Sequence, residues 1–189
     1  MVLVKLEDVQ LDKLSVKKSK DNTYLQLGMD IPRIQTPWIT LGKWSLPSRK
    51  FVKETDESVS LSIPVEKDSP LHNFFRAVDN FLISKHLVDM KILHTFVSKR
   101  EEQHYVKFKI YTTTKIFVER ENEGFKTIYD LYDYLVEGRD IRLIFTFSKL
   151  WQLNNSYGFS SRVEQLQLKA GQQSKKDGEK ANQMSFSED

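Results

Sequence analysis

From Asp140 to Ser148 the chain alternates without a break: Ile141, Leu143, Phe145 and Phe147 point one way, Arg142, Ile144, Thr146 and Ser148 the other. A period of two is a strand with one covered face and one presented face. Lys149 and Trp151 continue the register of the apolar side. A lysine ammonium is rarely buried, so that side must pass from core to solvent near Lys149. Beyond a polar Asn154-Asn155-Ser156 turn a second extended run begins at Tyr157. Asp140 to Leu153 and Tyr157 to Leu168 therefore read as a long curved ribbon.

Further strands surround it. Leu14–Lys18 and Thr23–Leu27 flank a Lys20-Asp21-Asn22 turn and form a hairpin. Ser58–Ile63 alternates polar with apolar, and Lys91–Val97, His104–Tyr111 and Lys115–Val118 carry the β-branched and aromatic residues of strands. Glu121-Asn122-Glu123-Gly124 marks a turn. Two segments switch to helical spacing. Ser69-Pro70 is an N-cap followed by proline at the first helical position, and Leu71, Phe74, Phe75, Val78, Phe81 and Leu82 then line one face. A shorter helix begins at Thr127 and places Ile128, Leu131, Tyr132 and Leu135 together before Gly138. The expected class is mainly β, a β-rich α+β fold: an OB-fold-like β-barrel or strongly bent sheet covered by helices over about 70–87 and 128–137.

The 189 residues suffice for one domain with a sizeable core. After Lys169 the text turns to Ala170-Gly171-Gln172-Gln173-Ser174-Lys175-Lys176, which has too little apolar surface to offset its ordering entropy. The expected organisation is a single domain over 1–169 and a disordered polar tail over 170–189. The absence of cysteine removes disulfides and thiolate metal sites, in keeping with an intracellular protein. The start lacks signal-peptide character, and no apolar run approaches membrane-spanning length, so no membrane partner is expected.

Net charge is only +3, so any polyanion binding must come from where the cations stand. All three tryptophans lie in two segments that mix aromatic and basic residues. One holds Trp38, Lys43 and Trp44, the other Arg142, Lys149, Trp151 and Tyr157, with Arg162 on the returning strand. Pro37 before Trp38 suits a sheet edge, and Gly42 leaves room for close backbone approach. Lys107 and Lys109 share one strand face between Tyr105 and Tyr111. Rings that stack on bases beside cations that meet phosphates are what a sequence-tolerant single-strand binder requires.

Chemistry of other kinds finds little support. His72, His86, His94 and His104 lack ligand spacing, so no metal is assigned, and Asp130 and Asp133 read as ordinary helix-surface acids. There is no glycine-rich phosphate loop or nucleophile elbow, so no catalytic residue and no cofactor are expected. The last residues, Phe186-Ser187-Glu188-Asp189, put one aromatic and two acids on a flexible tether suited to a basic partner groove.

The order Ile34-Gln35-Thr36-Pro37-Trp38, the Ser58–Ile63 strand, the Phe74/Phe75–Asp79 helix, Tyr105-Val106-Lys107-Phe108-Lys109 and Leu143–Trp151 with Tyr157-Gly158 resembles the single-stranded DNA-binding proteins of nucleocytoplasmic large DNA viruses. The similarity spans most of residues 24–168. It implies an OB-like core and a role in viral genome replication, recombination or repair, in the host cytoplasm or nucleus. Of the positions matching the shared pattern it assigns Gln35, Thr36, Trp38, Lys107, Lys109, Trp151 and Tyr157 to DNA. Expected partners are single-stranded DNA, with RNA open, replication proteins through the tail residues Phe186, Glu188 and Asp189, and a homo-oligomer left open. A non-enzymatic interaction module working through the tail, and a nuclease on the same barrel, stand as rivals.

Overall fold

The fold is that of a computed structural model, which describes residues 3–28, 30–118, 121–123 (backbone) and 125–169; the tail, with Phe186, Glu188 and Asp189, lies outside the described residues. Strand β1 (Leu3–Lys5) leads through two 3-10 turns to the hairpin β2 (Leu14–Ser19) and β3 (Asn22–Leu27). Then come β4 (Arg33–Gln35), β5 (Ile39–Thr40), β6 (Ser58–Val65), helix α1 (Pro70–Lys85), β7 (Ile92–Leu93), β8 (Val97–Arg100), β9 (Gln103–Tyr111), β10 (Lys115–Val118) and β11 (Glu121–Glu123). A 3-10 turn and the short α2 (Leu131–Tyr134) precede β12 (Asp140–Phe147), β13 (Trp151–Leu153), β14 (Ser156–Gly158) and β15 (Ser161–Leu168).

Ten strands form one mixed sheet. Its centre runs β6, β9, β15, β12, β4, and β10 follows β9 along the same edge of β15. The sheet bends strongly without closing. The chain leaving β5 returns to β6, where the Ser62 N–H donates to the Ser45 carbonyl at 2.7 Å in place of a strand pair. The bent-sheet form of the expected OB-fold-like architecture is therefore the one adopted.

Both helices start as the sequence dictates. The Ser69 hydroxyl accepts from the His72 N–H and Pro70 opens α1, while Thr127 and Asp130 form a capping box. The second helix is shorter than expected: it ends at Tyr134, because Leu135 already leaves the helical region. α1 buries Phe74, Phe75, Val78 and Leu82 against the inner face of the sheet. Phe75 packs on Phe96, Phe108 and Phe145 at centroid distances of 5.3, 5.6 and 5.6 Å. The inner alternation of β6, β9 and β12 thus meets one helical stripe, and the outward residues of those strands are left for solvent or ligand.

Two expected strands are broken. The segment 91–97 divides into β7 and β8 because the buried Asp79 carboxylate accepts the Phe96 and Val97 N–H groups at 2.8 and 3.0 Å. Those donors are lost to any ladder. The ribbon also kinks at Ser148 and Ser160: Ser148 N–H donates to the Ser160 carbonyl, and Ser160 N–H to Ser148 Oγ. Beyond the kink β13 and β14 leave the main sheet and pair with β7 in a separate three-stranded sheet.

Candidate nucleic-acid interface

The presented face of the main sheet is built by register. On β9 it carries Tyr105, Lys107, Lys109 and Tyr111; opposite them on β6 stand Pro64, Ser62, Ser60 and Ser58. Lys109 pairs with Arg162 of β15, and Arg162 pairs with Thr146 of β12. Tyr111, at the end of β9, has the Lys109 ammonium 5.6 Å and the Arg162 guanidinium 4.8 Å from its ring centroid. Like charges placed opposite each other across strands destabilise a sheet. Among the described residues Lys107, Lys109 and Arg162 take part in no ion pair, whereas Arg33 is tied to Glu164 and Arg49 to Asp133.

A cleft of about 340 Å³ opens beside this row, lined by Lys107, Lys109, Ser60, His94, Thr95 and Trp151 among others. The Trp151 indole meets His94 edge-on at 5.6 Å, and Gly158 lies so close that a Cβ there would sit 3.1 Å from the ring. Trp151 is thus a fixed wall. Across the sheet Arg142 donates from Nε and Nη2 to Gln167 Oε1, at 3.2 and 2.6 Å, which holds its guanidinium 4.9 Å from the centroid of Trp38. Gln35, Trp38 and Arg142 line a second hollow of about 240 Å³. Gln35 and Arg142 also line a third, of about 210 Å³, with Gln165, and Gln165 in turn shares a fourth with Arg162. From β6 to β4 the track crosses four strand spacings, about 19 Å.

Lys43 and Trp44 stand at the β6 end of the same face. Gly42 rests on Pro64, where a Cβ would come within 3.1 Å of Cγ, and Pro64 shares its strand face with Ser60 and Ser62. The Gly42 N–H donates to Ser45 Oγ, closing a turn from which Trp44, 68% exposed, projects with Lys43 Nζ 5.4 Å from its ring. Gly42 therefore permits approach to a proline of the chain itself. Gly42→Ala is expected to lift this turn off Pro64 and shift the emission of the exposed Trp44, with little change in overall stability; fluorescence spectra beside a thermal melt check it.

Several expected contacts fall elsewhere. Thr36 is buried; its N–H donates to the Leu143 carbonyl and its hydroxyl accepts from Leu143 N–H, so it splices β4 to β12 instead of facing solvent. Tyr157 is buried on the reverse face of the three-stranded sheet, in register with Gln152 and Leu93. Lys149 is exposed but sits where the ribbon meets the β2–β3 hairpin, its neighbour Leu150 donating to the Thr23 carbonyl, apart from the cleft. His94 and Thr95 carry no sequence signal for the cleft they line, because Asp79 places them. Asp130 is spent on the N–H groups of Lys126 and Thr127, and Asp133 on Arg49. No group of three or more metal-ligating side chains occurs among the described residues, nor any helix long and apolar enough to cross a membrane.

No protein-family model matches the chain, and no curated protein matches it. Solved structures do. The single-stranded DNA-binding protein from bacteriophage Enc34 in complex with ssDNA is 12% identical, with a TM-score of 0.48, covering 86% of this chain and 98% of that one. Another structure of the single-stranded DNA-binding protein from bacteriophage Enc34 gives 13% and 0.47 over 88% and 99%. The single-stranded DNA-binding protein gp2.5 encoded by bacteriophage T7 gives 11% and 0.42 over 72% and 85%. These are phage proteins; none of the three comes from the nucleocytoplasmic viruses of the sequence resemblance.

Proposed function

We propose that the chain is a non-enzymatic single-stranded DNA-binding protein that coats exposed strands during viral genome replication, recombination or repair. The observation that carries this reading is the row of unpaired cations on one strand face, Lys107, Lys109 and Arg162, the last two flanking the Tyr111 ring, with Trp151 walling the adjoining cleft and the exposed Trp38 and Trp44 rings on either side of the sheet. Such a row repels itself until a polyanion neutralises it, and the rings add sequence-tolerant stacking. Gln35, Arg142 and Lys43 complete the contacts, and the segment ending Phe186-Ser187-Glu188-Asp189 recruits replication proteins.

Titration of tryptophan emission with oligo(dT) at several salt concentrations tests it. Quenching is expected, with log affinity falling against log salt by roughly 0.7 for each phosphate contacted. Lys107→Ala with Lys109→Ala should flatten that slope by about 1.4. A slope near zero in the unaltered protein, or no quenching, would discard the reading. Duplex and RNA of equal length measure selectivity.

A further inference from the structure

The three-stranded sheet presents an apolar face that the track above reaches but does not use. Trp151 and Leu153 lie on one side of β13, and in register with Leu153 come Ser156 of β14 and then Ile92 of β7. Leu153 is 66% and Ile92 72% exposed, unusual for such side chains, and only the small Ser156 side chain stands between them on the intervening strand. Leu153 also lines the Trp151 cleft, so the shelf continues that cleft without a break. Its backbone is fixed, with Ile92 N–H donating to the Asn155 carbonyl at 2.8 Å and His94 N–H to the Tyr157 carbonyl at 2.7 Å. The nearby Lys91 ammonium is engaged by Gln152 Oε1, on the reverse face.

We infer that Ile92 and Leu153 form a base-packing subsite that carries the single-stranded DNA track beyond Trp151, receiving the nucleotide next to the one stacked on the indole. This rests on the single-stranded DNA reading. An unpaired base offers an apolar face of matching size, and a shelf of two side chains falls far below the roughly 800 Å² per partner of a stable protein interface. Because the shelf carries no cation, its share of binding is insensitive to salt.

The test is anisotropy titration of labelled oligo(dT) of stepwise length at two salt concentrations, comparing the full chain with Ile92→Ser/Leu153→Ser. Both positions are exposed, so the fold is retained, which circular dichroism verifies. The double variant should lose roughly tenfold in affinity, only for oligomers long enough to pass Trp151, with its salt slope unchanged. Ile92→Leu/Leu153→Met should bind as the parent does. Unaltered affinity at every length overturns the subsite, and so does a changed salt slope. A loss confined to oligomers that hold two proteins overturns it too and assigns the shelf to contact between copies. If the unaltered protein binds no oligomer, the single-stranded DNA reading itself fails, and that is seen before any variant is made.

Discussion

Trp38→Ala combined with Trp44→Ala is expected to weaken binding to oligo(dT) by about a hundredfold or more, with the thermal midpoint nearly unchanged. The two rings stand at opposite ends of the presented face, 41% and 68% exposed, each beside a cation about 5 Å from its centroid. Stacking contributes on the order of 1–3 kcal/mol per base, so two rings together reach the hundredfold range. Surface truncations away from the core change stability by about 0.5 kcal/mol or less. Affinity and stability should therefore separate, as they would not for rings that fill a core. The salt slope should persist, because Lys107, Lys109 and Arg162 remain. Equal affinity of the double variant and the parent, measured by anisotropy, would show that the strand takes another path.

The second large effect is on stability. Asp79→Ala should cost about 3 kcal/mol and lower the melting midpoint by about 10 °C, because it leaves the Phe96 and Val97 N–H groups buried without an acceptor. Asp79→Asn should lie between, since an amide oxygen satisfies one N–H while its NH₂ faces the other. Burial holds the Asp79 carboxyl above the usual carboxylate range, outweighing the two backbone donors and the nearby Arg76 and His94. A raised folded-state pKa means that the native protein binds this proton more tightly than the unfolded chain. The Asp79 contribution is therefore largest at low pH and declines as pH rises through its folded pKa. Melts of parent and Asp79→Asn across the acid range should converge in that direction. The variant should also bind DNA more weakly, because Asp79 fixes the segment that brings His94 and Thr95 to the Trp151 cleft.

Period-two and helical spacings made the strands of the sheet, the α1 stripe and its Ser69-Pro70 start readable directly, since a strand or helix face repeats locally. The strand breaks were not readable in this way. Nothing around Val97 announces that Asp79, on α1, will accept a hydrogen bond from its N–H, and nothing around Ser148 shows that the ribbon folds over at Ser160. The same division runs through the candidate site. Lys107, Lys109 and the tryptophans could be singled out by residue type, but Thr36 and Tyr157 have the same types as surface residues and are buried by their cross-strand partners. Ile92 and Leu153 have the residue types of core positions, and the fold leaves both exposed.

The amino-acid order alone determined which side chains share a strand or helix face, because backbone geometry sets that within a few residues. Only the tertiary fold decided that Lys109 and Arg162 flank one tyrosine, that Trp44 projects into solvent from a turn seated against Pro64, and that Thr36 turns inward. Those juxtapositions depend on the pairing of strands far apart in the chain, which is set by the packing of the whole sheet on α1 and not by any local preference.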